Sequence, residues 1–370
     1  MKSTESLPAR RMETLAAAAG SPGRTARARR WLGALGALPV LLFLAACGPD
    51  HLKHYPQTTF APTTDYALEQ DWLFRYVLIM GVVVGIIVFV AVGYILFKFR
   101  HRPDGAEPAQ THGNTTLELA WTLIPAVILA FIAVPTVRAI FITQAPASAS
   151  ALHVTVMGKQ WWWQFKYAVN GGRDTVTTAN EIHVPVGQQV ELTLKSDNVL
   201  HSFWVPQMGG KRDLIPNRDN KLVFTPKEPG VYYGQCAEFC GDSHALMRMR
   251  LIAETPADFQ RWLNNEASPA AEPTDSAVML GKQLVTSKPC VGCHTIKGTV
   301  MAGVTGPNLT HFARRRTLAA GIMDNNATNL GRWLRNAPHV KPGSKMPDMP
   351  TLNLKEEEVP YVVAYLQSLQ

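Results

Sequence analysis

The chain has 370 residues, 46% hydrophobic and 17% charged, with five cysteines and a formal net charge of +8. That length leaves room for two soluble domains plus membrane segments. The positive excess is uneven: residues 1–46 carry seven basic and two acidic side chains and residues 276–370 a net +6, against −1 for 47–144, +1 for 145–265 and −3 for 266–275, which argues against a nucleic-acid-binding surface.

In chain order, the basic RTARARR (24–30) precedes the apolar WLGALGALPVLLFLAA and ends in Leu44-Ala45-Ala46-Cys47. This reads as a secretory signal over residues 1–46. The quartet resembles a lipobox, which would make Cys47 a lipidated first residue; the alternative is a third membrane helix. The polar stretch before Arg24 suggests a later start of translation. Two uncharged runs follow, Tyr76–Phe97 and Leu119–Val137, each long enough to cross a bilayer. Pro125 and Pro135 are tolerated there, as membrane helices allow. The loop between the runs opens with KFRHR, whereas Asp65, Glu69 and Asp71 precede the first run. The positive-inside rule places that loop in the cytoplasm and both flanks outside. Glu118 stands at the cytoplasmic start of the second helix, either merely solvated or marking a proton path.

From Leu152, short runs rich in β-branched and aromatic residues alternate with turn residues: LHVTVM, WWWQFKY, QVELTLK, HSFWVP, NKLVFTP, GVYYGQC and LMRMRLIAE. They predict an all-β, cupredoxin-like Greek-key barrel over 145–265, with loops clustered at one end. Those loops carry the chemistry. His201 lies in HSFWVP, and Cys236, Glu238, Cys240, His244 and Met247 are packed into QCAEFCGDSHALM. Thiolate, imidazole and thioether together select copper over hard cations. There is one cysteine too many for a mononuclear blue-copper site, so both sulfurs can bridge two metal ions. His201 and His244 would each terminate one copper, with Met247 and the carbonyl of Glu238 as weak ligands. A Cys236–Cys240 disulfide or a zinc site are the alternatives; neither uses Met247. Thr255 and Pro256 then open a helix. Residues 266–275, within the small, polar NNEASPAAEPTDS, read as a flexible linker.

After it, an amphipathic helix leads into Cys290-Val-Gly-Cys293-His294, a c-type haem attachment signature. Both thiols would form thioethers and His294 would be the proximal iron ligand. A thioether sixth ligand raises the potential relative to two histidines. Met346 in PGSKMPDMP is the choice for it and Met349 the rival, with His311 and His339 as ordinary surface or core residues. LKEEEVPYVVAYLQSL closes a class I cytochrome c fold over 276–370.

HSFWVPQMGGKRDLIP, YGQCAEFCGDSHALM, MGKQWWWQFKY and ELAWTLIPAVILAFIAVP together resemble cytochrome c oxidase subunit II with its dinuclear copper (CuA) domain. The resemblance covers about Asp65 to Trp262, and a cytochrome c domain is fused beyond it. It implies that Trp161 is the surface tryptophan receiving electrons, and that the Glu238 carboxylate binds magnesium at the interface with subunit I. It also implies that Glu118, three residues before Trp121, lies at the mouth of a proton-uptake channel. Departures are Trp162 where tyrosine is usual, Lys166 where an acid is common, and Asn217 where glycine follows the proline.

The resulting expectation is a multidomain membrane protein: a two-helix transmembrane hairpin, a CuA barrel and an all-α cytochrome c domain. It would serve as subunit II of a caa3-type oxidase, beside subunits I and III, in the bacterial plasma membrane with its soluble domains outside. Its donor would be a cytochrome c or the bc1 complex. No histidine-rich membrane helices are present to hold haem a, so oxygen reduction would belong to subunit I. The alternatives are a stand-alone membrane-tethered electron carrier for another reductase, a quinol oxidase subunit, and a nitrous oxide reductase. Linking a basic cytochrome (+6) to a nearly neutral barrel (+1) by a flexible tether would supply an effective concentration around the millimolar range. On that basis, cutting within 266–275 is expected to make haem-to-copper transfer concentration-dependent.

Overall fold

The computed structural model describes residues 55–100, 105, 110, 112–169 and 174–370. The expected signal segment 1–46, Cys47 and much of the basic loop after Arg100 lie outside the described residues. Two long helices come first, α1 (Asp65–Lys98) and α2 (Thr115–Thr143). Each is longer than the uncharged run that marks it, because polar flanks continue the helix beyond the apolar span. Thr64 caps α1, its Oγ1 accepting from the amide of Ala67 at 3.0 Å, and an Arg75–Asp71 pair one turn apart supports the polar first turns. At about 1.5 Å per residue, α1 outruns a bilayer core of about 30 Å. Its first turns instead reach the barrel, where Gln70 Oε1 accepts from the amide of Gly210 at 2.8 Å. Gly209 adopts φ 136° with Tyr66 against its Cα, a place no side chain could occupy. Outward apolar side chains cover both helices, and Tyr76 donates to the Phe131 carbonyl across the hairpin.

The barrel comprises β1 (Leu152–Lys159), β2 (Trp162–Val169), β3 (Asp174–Ala179), β4 (Glu181–Pro185), β5 (Val190–Ser196), β6 (His201–Trp204), β7 (Arg212–Leu214), β8 (Asn220–Phe224), β9 (Gly230–Cys236) and β10 (Arg248–Glu254). They form two five-stranded sheets, ordered β3-β2-β1-β5-β8 and β4-β10-β9-β6-β7. Alternating inward residues of both sheets (Val154, Val156, Phe165, Leu192 and Leu194 from one, Ile182, Phe203, Met249 and Leu251 from the other) share one core. Strands β3, β4 and β7 escaped the sequence reading. DTVTTA, EIHVP and RDL mix polar and turn-type residues, and β3 and β4 are divided only by Asn180 at φ 62°.

Helix α3 (Pro256–Ala267) packs Phe259 and Trp262 on Tyr167. The cytochrome region follows with α4 (Ser276–Ser287), the two-residue strands β11 (Thr317–Leu318) and β12 (Met323–Asp324), then α5 (Ala327–Arg335), α6 (Ala337–Val340) and α7 (Val359–Ser368). Gly281 lets α4 cross α7 closely: a Cβ there would stand 2.1 Å from the Tyr361 carbonyl oxygen.

The segment between the domains, expected from its composition to be a flexible linker, makes several contacts with the cytochrome domain. The amide of Ala270 donates to the Lys297 carbonyl at 2.9 Å, and His311 Nε2 lies 3.1 Å from the Ser268 carbonyl oxygen. Lys297 reaches the Ala267 carbonyl and Lys282 pairs with Glu272. Small residues make the segment short and polar, but its backbone groups find partners on the cytochrome domain.

Candidate electron-transfer site

The end of β9 with the loop after it, the start of β6 and the turn before β10 bring five donor side chains together, all buried except the half-buried His244. Cys236 and Cys240 are unoxidised, their sulfurs 3.8 Å apart, against about 2.05 Å for a disulfide. The disulfide alternative therefore fails. His201 Nδ1 lies 3.8 Å from Cys236 Sγ and His244 Nδ1 3.6 Å from Cys240 Sγ. The Glu238 carbonyl oxygen stands 3.2 Å from Cys236 Sγ and Met247 Sδ 4.0 Å from Cys240 Sγ. Each sulfur thus has one imidazole and one weaker donor beside it. Donor atoms of His201, Cys236 and Cys240 all fall within 4.8 Å of one another.

The surroundings set the ligand orientation. His201 is fully buried, and its Nε2 lies 3.3 Å from Asn198 Oδ1, so that nitrogen donates and Nδ1 is left with its lone pair toward the sulfurs. Gly158 makes room for the ring, since a Cβ there would stand 2.7 Å from His201 Cδ2. The thiols behave as a pair. Hydrogen bonding from Cys240, with smaller help from His201, holds Cys236 down to about 3; the same bond and burial push Cys240 up. One proton leaves readily and the second only when a cation replaces it, as a thiolate metal site requires. Soft, buried, preassembled donors fit copper.

The second centre is a cavity of about 300 Å³ lined by Cys290, Cys293, His294 and Met346. Met349 is not among its lining residues. His294 Nδ1 lies 2.7 Å from the Pro307 carbonyl oxygen, which fixes that nitrogen as the donor and leaves Nε2 for a metal. Burial lowers the His294 pKa, keeping the ring in the neutral, ligating form. Gly306 lies on the ring face, where a Cβ would come within 2.7 Å. Both cysteines are free, and burial holds the Cys290 thiol up. Two thiols, a neutral imidazole and a thioether around an apolar cavity fit a covalent haem.

The same cavity is lined on the barrel side by Gln160, Trp161 and Trp162. Trp161 Nε1 donates to the Cys240 carbonyl at 2.8 Å, and Gln160 Nε2 donates to the same oxygen at 2.8 Å. Trp161 was expected at the surface; it is 9% exposed because the cytochrome region covers it. Lys341 and Gly343 make that cover; Gly343 lies in the PGSKMPDMP run, but nothing in that run marks a contact with Trp161. Elsewhere, Glu238 and Phe239 are exposed on the metal loop, and Glu118 is exposed in the first turn of α2, remote in sequence from both centres.

Three family profiles match the chain: the transmembrane domain of cytochrome c oxidase subunit II over residues 56–139, its periplasmic domain over 169–254, and cytochrome c over 278–370. Cytochrome c oxidase subunit 2 of Alkalihalophilus pseudofirmus is 37% identical over 339 residues, covering 89% of this chain and 94% of that protein. The same subunit from Bacillus sp. strain PS3 is 34% identical, covering 74% and 80%. Quinol oxidase subunit 2 of Bacillus cereus is 28% identical, covering 66% of this chain and 83% of that one.

Proposed function

Because the chain belongs to the cytochrome c oxidase subunit II family, a membrane protein family with a periplasmic domain, we propose that it is the electron-input subunit of a proton-pumping caa3-type oxidase. When bound, haem c and the paired coppers supply one-electron transfer in relay, from an external donor toward haem a of subunit I, where oxygen is reduced to water. Cys290 and Cys293 would anchor the haem, and His294 and Met346 would ligate its iron. Cys236, Cys240, His201 and His244 would hold the paired coppers, with Met247 and the Glu238 carbonyl as weaker donors.

The observation that carries this reading is the position of Trp161. Its indole lines the haem cavity while its Nε1 is bonded to the backbone of a copper-loop cysteine. Gln160 makes the same pair of contacts, but only Trp161 of the two carries an aromatic ring.

The metal loop's outer face, with Phe239 75% exposed beside Glu238, suits contact with subunit I. There the Glu238 carboxylate would hold magnesium, and Glu118 would stand at a proton-channel mouth. Subunit III completes the assembly, and the donor is a cytochrome c or the bc1 complex. A processed residue 47, lipidated at Cys47, the hairpin within 47–144, the copper domain over 145–265, the connecting 266–275 and the cytochrome domain over 276–370 complete the organisation. Purification of the complex through this chain tests the assignment: haem A is expected to co-purify with copper and covalent haem c. A preparation carrying haem c and copper but no haem A would make the chain a stand-alone carrier instead.

A further inference from the structure

The cytochrome region is held on the barrel through buried, specific contacts. Glu181 is 2% exposed, and its Oε1 accepts from the amide of Thr317 at 2.9 Å and from its hydroxyl at 3.0 Å. The amide of Arg248 donates to the Ala320 carbonyl at 3.0 Å, and the Arg250 guanidinium donates to the Gly321 carbonyl at 3.3 Å. The tightest part lies over Trp161. Lys341 is 3% exposed and its Nζ donates to the Trp161 carbonyl at 2.5 Å and to the Ala319 carbonyl at 3.2 Å. Next to it, Ser243 of the copper loop donates to the Pro342 carbonyl at 2.5 Å. Gly343 follows at φ 73°, so close to the indole that a Cβ would stand 2.6 Å from Trp161 Cζ3 and 2.7 Å from Cη2.

An ammonium buried with carbonyl partners and no carboxylate is an expensive way to fill space, since an apolar chain of similar length would pack there at lower cost. Such a group is better explained by the geometry it fixes. Gly343 likewise has a role through what it lacks: any side chain would strike the indole.

We propose that residues 341–343 form a seal over Trp161, which closes the copper domain to external redox proteins and leaves the chain's own cytochrome domain as its sole donor. Lys341 is the positioning residue of the seal and Gly343 sets its fit. External donors then dock on the cytochrome domain, whose excess positive charge suits an acidic partner face. This rests on the electron-input reading of the site, deepening it by naming where a donor cannot bind.

Two measurements on the full-length, haem- and copper-loaded chain test the seal. The first is hydroxyl-radical labelling read by mass spectrometry, comparing the native chain with Gly343→Asn and Lys341→Met. Asparagine tolerates a positive φ, so it tests bulk against the indole more than backbone strain. Trp161 is expected to resist labelling in the native chain and to gain labelling several-fold in both variants. Trp163, fully buried in the barrel core, should stay protected throughout. Native Trp161 labelled as fast as the exposed Tyr55 would overturn the seal, as would variants that leave its labelling unchanged. A variant that also exposes Trp163 has unfolded, and the other variant then decides.

The second measurement mixes reduced soluble cytochrome c with the oxidised chain and follows haem and copper absorbance separately. Copper reduction is expected only after haem reduction in the native chain, with a direct, donor-concentration-dependent phase appearing in Gly343→Asn. A direct phase in the native chain would refute the exclusion. Labelling needs no assumption about metals, so a protected Trp161 in a chain that binds no copper would sink the electron-input reading while the seal stood.

Discussion

Trp161 Nε1 donates to the carbonyl oxygen of Cys240 at 2.8 Å, and the indole carrying that nitrogen lines the cavity that holds Cys290, Cys293 and His294. One side chain therefore touches both candidate redox sites of the chain. Replacing it with phenylalanine keeps an aromatic ring but removes the N–H, at a cost of about 1 kcal/mol in stability. Trp161→Phe is expected to bind metal and haem normally while slowing copper reduction by haem, measured by rapid mixing under anaerobic conditions. An unchanged rate would remove Trp161 from the route.

The contacts of Ser268 and Ala270 with the cytochrome domain lead to an expectation opposite to that of a loose tether. With a protease site inserted in this segment and cut, the cytochrome domain is expected to stay bound through the Glu181, Arg250 and Lys341 contacts. Haem-to-copper transfer should remain independent of dilution. Release of the domain on gel filtration, or a rate that falls with concentration, would restore the tether view.

Met346 and Met349 are separable by spectroscopy. Met346→Ala is expected to abolish the methionine–iron absorption of the oxidised haem and lower its potential, because a thioether ligand raises it. Met349→Leu, a swap of similar volume costing less than about 1.5 kcal/mol, should leave the spectrum intact. The reverse pattern would exchange their roles.

Lys341 introduces a pH dependence. Burial pushes its ammonium down to about 7, against the opposing attraction of Cys240, from an ordinary 10.5. Between those values the unfolded chain holds a proton that the folded chain lacks, so stability rises as pH climbs from 7 toward 10. Below 7 the ammonium is charged in both states and the penalty of burying it is present in full. Urea midpoints of the native chain are expected to rise across that window, and Lys341→Met should flatten the rise. Identical pH profiles for the two proteins would contradict the assignment.

The candidate metal and haem ligands were legible in the sequence because their chemistry is local: Cys236, Cys240, His244 and Met247 share one loop, and Cys290, Cys293 and His294 one turn. His201 was legible through the HSFWVP run. The apolar spans of α1 and α2 were equally plain, though not their polar ends, since hydropathy marks the bilayer and not the helix. The domain interface was not legible. Glu181, Lys341 and Gly343 carry no local sign of an interface; their roles arise only when residues well over a hundred positions apart meet. The cover over Trp161 was invisible for the same reason, which is why a surface position was expected.

The central claim is that Cys236 and Cys240 share two metal atoms. Electron paramagnetic resonance of the oxidised, fully metal-loaded chain tests it most directly, combined with elemental analysis against haem iron. An unpaired electron split by two equivalent copper nuclei, at two coppers per haem, is the predicted result. A single-nucleus copper pattern, or one copper per haem, would contradict it.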